Sequence, residues 1–363
     1  MVIGSRLYTL GYADGKDTLS CLDCATGKEV WSRSYDCPEY GRFKIGDEGI
    51  YSGPSSTPDF DPQTGYLYTL STDGDLNCWD TQNQGKRVWG FNLYDEYGVT
   101  QRPKIGRQGL RDYGYTSSPL VLGEAVLVEI GSKRGNLVAF DRRTGKELWI
   151  SKNQDPAGHN AGPVPMQVEG ISCVAVLTTR NLVVTRVDQG NEGKVIAEFP
   201  WATDFANNVA SPAVQDDCVL ITSGYNHNAA CKLKITLSGA TKLWEQPFAS
   251  KVCTPVIYKG NVYWAWGTLK CLNWDTGELQ WQGGKYGDAG SCLVAADGRL
   301  IAWGGSGKLA LVETADRSPH EYKELALKDG LAEADAWPHV VLAESQLYLK
   351  DWHGHLKCFK LEQ

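Results

Sequence analysis

Hydrophobic and polar residues alternate along this chain in short runs of about five to eight positions, and each run ends in a turn. The runs are rich in β-branched and aromatic residues, and glycine lies between them, as in Asp73-Gly74-Asp75. Short strands separated by tight turns are typical of an all-β protein. The clearest predicted strands lie at 66–70, 126–130, 219–222 and 262–265.

A longer motif repeats on top of this alternation. Residues 139–149 read Ala-Phe-Asp-Arg-Arg-Thr-Gly-Lys-Glu-Leu-Trp, which predicts a strand, a Thr-Gly-Lys turn and a second strand that carries the tryptophan. In four of the units that carry the motif, a Ser/Thr-Pro pair such as Ser118-Pro119 opens the first strand, where proline is tolerated. Further copies of the motif lie at 22–31, 79–89, 238–244 and 274–281.

The spacing of the motif predicts the architecture. Trp201 and Trp244 mark one unit of about 43 residues, and four strands in a unit of that length indicate a propeller blade. We therefore predict one domain over 1–363, an eight-bladed β-propeller of four-stranded blades, with seven blades as the alternative. In this prediction the first blade lacks its opening strand and the last unit stops after its third strand.

The repeated residues also carry a family resemblance. Ala139-x-Asp141-x-x-Thr144-Gly145-Lys146-x-x-Trp149 resembles the tryptophan-docking motif of the propellers of pyrroloquinoline-quinone (PQQ) enzymes. The resemblance extends over the whole chain and implies a bacterial protein of the periplasm or cell surface. A non-catalytic lipoprotein of outer-membrane barrel assembly has the same kind of propeller, so the resemblance implies a fold and leaves the activity open.

Charge and cysteine content exclude several classes. A formal net charge of −7 argues against nucleic acid as the main partner, and no apolar run is long enough to span a bilayer. The N-terminal residues lack the pattern of a signal peptide, so they do not indicate a compartment. The eleven cysteines are explained by packing rather than by a disulfide framework or a zinc site. Four of them fill the motif position held by Ala139: Cys21, Cys78, Cys271 and Cys358.

Two insertions lengthen successive units on one face of the predicted propeller. They occupy 35–56 and 94–117, between the tryptophan of one unit and the Ser/Thr-Pro of the next. Their tyrosine and arginine side chains supply contact area and hydrogen-bond donors, which favours a binding face. The alternative is that these loops cover the blade ends. The candidate binding residues here are Arg102, Arg111, Tyr113 and Tyr115.

Polar and aromatic side chains cluster at the same face, next to the innermost strands. Amides, aromatic rings and histidines around a concave surface suit a polar ligand such as a sugar. His353 and His355 lie close in sequence, but two histidines beside a turn glycine do not make a metal site, and we predict none. The candidate residues are His159, Asn160, Asp204, Asn207, Asn208, Tyr225, His227, Trp264, Trp266, Asp335, Trp337 and His339.

The resemblance to quinone enzymes implies a site that can be compared with these residues. Calcium would take oxygens from Asp204, Asn207, Asn208 or Asp335, and a tryptophan would stack on the quinone. Trp201, Trp264 and Trp266 are the candidates for that tryptophan. The adjacent-cysteine disulfide of the quinoprotein alcohol dehydrogenases is absent, and so are a nucleophile elbow, a phosphate loop and a dinucleotide fingerprint.

We therefore predict a non-catalytic binding or scaffold propeller, acting as a monomer, with a surface on the insert-bearing face. Its partner would be a protein, or a polar small molecule or glycan. No cofactor is assigned. The alternative is a PQQ-dependent dehydrogenase of alcohols or sugars, with calcium as the metal.

Overall fold

The computed structural model describes residues 1–37, 53–99, 114–204, 207–305 and 307–361. These residues form eight antiparallel sheets in which consecutive strands pair, so each sheet is a meander. The fold is an eight-bladed β-propeller, as the repeat predicted, and the seven-bladed alternative is set aside.

The first four sheets contain strands β1 to β12 and β14 to β17. The first two sheets are Val2–Ile3 (β1), Arg6–Ala13 (β2), Lys16–Asp23 (β3), Glu29–Asp36 (β4), Asp59–Asp61 (β5), Tyr66–Leu70 (β6), Asp75–Asp80 (β7) and Lys86–Asn92 (β8). The next two are Leu120–Leu122 (β9), Ala125–Ser132 (β10), Gly135–Asp141 (β11), Glu147–Ile150 (β12), Val164–Val168 (β14), Ile171–Leu177 (β15), Asn181–Arg186 (β16) and Val195–Pro200 (β17).

The last four sheets contain strands β19 to β32. They are Ala213–Gln215 (β19), Cys218–Ser223 (β20), Ala229–Thr236 (β21), Gly239–Gln246 (β22), Val256–Tyr258 (β23), Asn261–Asn273 (β24), Leu279–Gly287 (β25), Gly290–Val294 (β26), Arg299–Gly304 (β27), Lys308–Glu313 (β28), Glu324–Lys328 (β29), Val341–Ala343 (β30), Gln346–Lys350 (β31) and Leu356–Lys360 (β32). The remaining elements are a parallel pair, His159–Asn160 (β13) with Asn207–Asn208 (β18), a short helix, Leu93–Tyr97 (α1), and a 3₁₀ turn, Thr81–Asn83.

Two sheets differ from the predicted pattern. The first has four strands, because a two-residue strand, Val2–Ile3, takes the opening position that the sequence left empty. In the sixth, β24 fills two strand positions, since its first half pairs with β23 and its second half with β25. Gly267, between the two halves, has a left-handed φ of +66°, which suits glycine. The eighth sheet has the three strands that were predicted.

The chain divides into two compact units. Unit 1 comprises 1–208 with 235–240 and holds the first four sheets. Unit 2 comprises 209–234 with 241–363 and holds the later sheets apart from the turn at 235–240. A single domain over 1–363 stays a prediction.

Both units use the repeated tryptophan in the same way. In unit 1 the indole of Trp89 donates to the carbonyl oxygen of Arg142 at 3.1 Å, and a methyl group on Gly145 would lie 2.7 Å from its ring. In unit 2 Trp244 donates to the carbonyl oxygen of Trp274 at 3.1 Å and packs against Gly277 in the same manner. The Thr-Gly turn therefore requires glycine both for its backbone angle and for the tryptophan ring that covers it.

Most of the cysteines pack in the sheets. Cys21, Cys78 and Cys271 are buried as predicted, which suits a small apolar side chain. Cys358 is the exception: it is exposed on β32, so its assignment to a packed core position is corrected. Among the described residues the eighth sheet has three strands, and β32 is the last of them.

Candidate functional site

We call the end of each unit that carries the turns between second and third strands its upper end, and the end with the Thr-Gly turns its lower end. The described parts of both insertions attach at the upper end of unit 1. The amide of Cys37 donates to the Gly15 carbonyl, and the amide of Leu93 donates to the Gly74 carbonyl. Gly15 and Gly74 lie in second-to-third turns. Residues 38–52 and 100–113 lie outside the described residues, and the candidates Arg102, Arg111 and Tyr113 are among them.

Four of the predicted site residues come together at the upper end of unit 1. The parallel pair of β13 and β18 sets His159 beside Asn207, with 2.5 Å between Nδ1 and Oδ1. The amide of Ala161 donates to the Asn208 carbonyl at 3.0 Å and extends this pairing. His159, Asn160, Asn207 and Asn208 are all less than 10 % exposed. The sequence therefore predicted their proximity, but their burial gives them a structural role.

The amide groups of this cluster hold neighbouring backbone in place. Asn208 Nδ2 donates to the carbonyl oxygens of Thr178 at 2.7 Å and Trp201 at 3.1 Å. Thr178 follows β15 and Trp201 follows β17, so the Asn208 side chain joins β18 to two strand ends of the fourth sheet. Buried carbonyl oxygens need such donors, because an unpaired buried polar group is costly.

Glu129 is the residue of this cluster that the sequence analysis missed. It lies on β10 and is fully buried, and its Oε1 accepts hydrogen bonds from Asn136 Nδ2 at 3.0 Å and Asn160 Nδ2 at 2.7 Å. Burial raises the pKa of the Glu129 carboxyl to about 8. A signal was present in the sequence, since Glu129 interrupts an apolar strand where the equivalent positions hold Leu10 and Leu70.

Two further candidates in unit 1 differ in exposure. Tyr115 is 2 % exposed, its hydroxyl donates to the Ile130 carbonyl at 2.9 Å, and its ring lies 4.9 Å from that of Tyr94. It therefore packs in the core, and its assignment as a ligand-binding side chain is corrected. Asp204 is partly exposed next to residues 205–206, which lie outside the described part of the chain.

The upper end of unit 2 presents a connected surface cluster. Lys251 Nζ lies 2.8 Å from Asp288 Oδ2 and 5.5 Å from the ring centroid of Tyr225. The indole of Trp266 donates to Asp288 Oδ1 at 3.2 Å. The hydrogen bond from Lys251 lowers the pKa of the Asp288 carboxyl. We call Tyr225, Lys251, Trp266 and Asp288 the unit 2 patch.

Trp264, two residues before Trp266, has a different role. It is fully buried, and its indole donates to the Ala249 carbonyl at 2.9 Å. Trp264 lies inside the first half of β24, whereas Trp266 adjoins the left-handed Gly267 where that half ends, and its side chain is partly exposed. The prediction that Trp264 contacts a ligand is therefore wrong, because no face of its ring is accessible.

The remaining candidates lie at the upper end of unit 2 with exposed or half-exposed side chains: His227, Asp335, Trp337 and His339. Trp337 is 38 % exposed. The Asp335 carbonyl accepts from the Trp352 amide at 2.9 Å, which ties this segment to the turn that follows β31.

That turn carries the paired histidines singled out in the sequence. His355 Nδ1 lies 2.9 Å from Asp351 Oδ2, and this hydrogen bond raises the pKa of His355. Its Nε2 faces Glu333 Oε2 at 3.7 Å. Within the described ranges, histidine, cysteine and acidic side chains form no group of three placed to hold a metal ion.

The residues proposed for a quinone do not fit that cofactor. Trp201 and Trp264 are at most 2 % exposed, so neither ring can stack on a bound quinone. Among the residues proposed for calcium, the side chains of Asn207 and Asn208 are buried, and the Asn207 Oδ1 lies 2.5 Å from His159 Nδ1. Trp266 remains partly exposed, but it lies beside a lysine and an aspartate rather than a group of oxygen ligands.

Comparison with known proteins assigns the family. Residues 15–283 match the model of the outer membrane protein assembly factor BamB. The chain belongs to this family. Among solved structures, BamB from Moraxella catarrhalis is 11 % identical with a TM-score of 0.63, and the match covers 97 % of this chain and 96 % of that one. A computationally designed protein, Ika8, is 12 % identical with a TM-score of 0.61, covering 98 % and 97 %.

The chain also shares sequence with a quinone-dependent enzyme. The dehydrogenase subunit of the quinone-dependent alcohol dehydrogenase of Gluconobacter oxydans (strain 621H) is 32 % identical over 135 residues. That segment is 36 % of this chain and 16 % of the relative, so the chain matches a small part of the enzyme's length. Within the described residues, no helix is both long and apolar enough to cross a membrane.

Proposed function

We propose that this protein is a non-catalytic binding propeller that docks a protein partner at the upper end of unit 2, with the unit 2 patch as part of the contact surface. The observation that carries this proposal is the patch itself, where Trp266 and Tyr225 flank the Lys251–Asp288 ion pair on an accessible surface. Partly exposed tryptophan and tyrosine are the side chains that most often dominate the energy of protein interfaces.

Family membership supports a protein as the partner. The family is described as an outer membrane protein assembly factor, so the partner would be a component of an outer-membrane assembly machinery. This assignment implies an extracytoplasmic location. Arg102, Arg111 and Tyr113 of the second insertion stay predicted binding residues and are tested separately.

Photocrosslinking tests the surface in the cell. A photoreactive amino acid at position 266 should capture one component of the assembly machinery. The same amino acid at Leu148, which is 51 % exposed on the outer strand β12, should not capture that component. Equal capture from both positions, or none from position 266, would contradict the proposed surface.

Affinity measurements with the captured, purified component then test the side chains. Trp266→Ala should weaken binding at least about tenfold, because a hot-spot tryptophan contributes about 2 kcal/mol or more. Leu148→Ala should leave the dissociation constant unchanged, since its surface lies outside the proposed contact. A triple change of Arg102, Arg111 and Tyr113 to alanine tests the insertion separately. A glycan array probes the polar small-molecule alternative, and specific glycan binding lost in Trp266→Ala would replace a protein partner with a sugar.

A quinoprotein dehydrogenase is the second candidate, favoured by the 135-residue similarity to the Gluconobacter oxydans enzyme. The buried rings of Trp201 and Trp264 count against it. Addition of PQQ and calcium should produce neither a bound-quinone absorbance spectrum nor dye-linked oxidation of alcohols or sugars. Stoichiometric quinone binding with turnover would overturn the non-catalytic proposal.

A further inference from the structure

Glu129 has an unusual environment for a carboxylate at the upper end of unit 1. Its Oε1 accepts from two amide groups, Asn136 Nδ2 and Asn160 Nδ2. Within the described residues, its Oε2 has no hydrogen-bond partner, and neither has the Oδ1 of Asn160. No lysine, arginine or histidine of the described ranges forms an ion pair with it. The two unpartnered oxygens therefore belong to side chains that already share one hydrogen bond.

A proton would satisfy both of these atoms. A carboxyl group and a primary amide are planar groups with matching spacing, and each offers one donor and one acceptor when the carboxyl is protonated. With Asn160 Nδ2 bonded to Glu129 Oε1 at 2.7 Å, a proton on Oε2 can be donated to Asn160 Oδ1. An ionised Glu129 would instead leave two acceptors and a negative charge buried without a donor, which is costly.

We propose that Glu129 is a proton-binding site, protonated in the folded protein at neutral pH, and that its proton bonds Asn160 and thereby fastens the β13–β18 strand pair. This inference does not rest on the proposed partner surface. It assigns a function to a residue that interrupts the repeat, because Leu10 and Leu70 hold the equivalent positions in the first two sheets.

The surroundings of Glu129 favour the protonated form. Burial raises its pKa to about 8, the hydrogen bonds from Asn136 and Asn160 oppose that rise, and the negative charge of Asp155 adds to it. Asp155 is itself held by Thr178 Oγ1, at 2.8 Å from its Oδ2. The other titratable side chain at this strand pair is His159, whose Nδ1 lies against Asn207.

The sign of the pH effect follows from the raised pKa. The folded protein holds this proton up to about pH 8, whereas the unfolded chain loses it near its ordinary value of 4.5. The stabilisation from the proton is complete below the unfolded pKa and is lost as the pH rises toward the folded pKa. Over that interval the contribution of Glu129 to the unfolding equilibrium constant should rise about tenfold for each pH unit.

Substitution by glutamine isolates this contribution. Glu129→Gln keeps the shape, accepts from both asparagines through its oxygen and donates to Asn160 Oδ1 at any pH. In chemical denaturation from about pH 5 to about pH 9, the ratio of wild-type to Glu129→Gln unfolding constants should increase with pH and level off above about 8. The matched control is Glu192→Gln, an exposed glutamate of the same unit, which should leave the pH profile unchanged.

Infrared difference spectroscopy reports the proton directly. The native wild-type protein at pH 7 should show a carboxylic-acid C=O stretch that disappears with a midpoint near 8 and is absent from Glu129→Gln. Asp75 is a second carboxyl with a pKa raised by burial, so Asp75→Asn serves to subtract its band. If Glu129→Gln does not fold, the spectrum of Asp75→Asn alone still decides whether a buried acid is present.

Three results would overturn the proposal. One is the absence of a carboxylic-acid band at pH 7 once Asp75 is removed. Another is a wild-type pH profile parallel to that of Glu129→Gln. The third is a wild-type stability at pH 8 that rises with added sodium or calcium while the Glu129→Gln stability does not, because Glu129 would then bind a cation in place of the proton.

Discussion

The upper ends of the two units carry similar residue types, yet those residues do different work. In unit 1, His159, Asn160 and Asn208 are buried and bonded to one another or to nearby backbone. In unit 2, Tyr225 and Trp266 remain partly exposed around an ion pair. Residue type at a repeat position therefore indicates little about function until its burial is known, since a buried amide satisfies backbone groups and an exposed ring is available to a partner.

The local backbone explains the difference. In unit 1 the parallel pairing of β13 with β18 covers the polar side chains and orders them. In unit 2 the turn between β20 and β21 contains Tyr225 and Asn226 in the left-handed region, at φ of +59° and +66°. Non-glycine residues seldom adopt this conformation, and here it belongs to a turn whose tyrosine ring lies over Lys251 at the surface.

The largest effect expected within unit 2 separates its two neighbouring tryptophans. Trp264→Ala should lower the free energy of unfolding by about 3–5 kcal/mol, because it empties a fully buried site. Trp266→Ala should cost less than about 1 kcal/mol while it weakens partner binding, because the side chain is partly exposed. Urea denaturation of both variants measures the difference. Similar losses of stability would remove the distinction between core and patch.

The next effect concerns the closed upper end of unit 1. Asn208→Ala should destabilise the protein by about 2–4 kcal/mol, because the carbonyl oxygens of Thr178 and Trp201 lose their donor. Asn228→Ala, an exposed amide at the upper end of unit 2, is the control and should change stability by less than about 0.5 kcal/mol. Equal urea midpoints for the two variants would show that the unit 1 amide is not structural.

A third prediction concerns the lower end of unit 1, where a turn glycine packs against a tryptophan ring. Gly145→Ala should cost about 2–3 kcal/mol, since alanine there is strained at φ of +71° and its methyl group would lie 2.7 Å from the Trp89 ring. Gly27→Ala has a similar φ of +68° and open space, so it should cost about 1 kcal/mol. Thermal unfolding of both variants isolates the tryptophan contact. Equal shifts in Tm would mean that backbone strain alone requires the glycine.

The smallest effect belongs to the ion pair of the unit 2 patch. Lys251→Ala should change stability by less than about 1 kcal/mol, because Asp288 is 69 % exposed and solvent screens the pair. The pKa of Asp288 should rise toward its ordinary value in this variant, since the hydrogen bond that lowers it is gone. In the wild type this pair stabilises the fold above the ordinary carboxyl pKa, and the contribution is lost as the pH falls. NMR titration of Asp288 checks the shift, and an unchanged pKa would contradict the contact.

Much of the fold could be predicted because the same contact between a tryptophan and a turn glycine recurs along the chain. The tryptophan, the Thr-Gly turn and the spacing between them gave the blades, and the pairs Trp89–Gly145 and Trp244–Gly277 show the packing that the motif requires. The opening strand of the first sheet was missed because β1 has only two residues, too few to form a pattern.

The candidate site was predicted less well, for a physical reason. The chain pattern placed His159, Asn160, Asn207 and Asn208 at one end of the blades, and they do meet there. It could not show that strand pairing buries them. Lys251 and Asp288 were overlooked because charged loop residues are common, and their significance comes from contacts made with Trp266 and Tyr225 across separate blades.

The order of strands, the number of blades and the position of the docking tryptophans followed from the sequence, because these depend on local alternation and on a repeat that is visible in one dimension. Three-dimensional packing decided which polar side chains are buried and which are exposed at the surface. A lone glutamate in an apolar strand illustrates this limit: the sequence marks Glu129 as irregular, but its protonation depends on burial and on two asparagines from other strands.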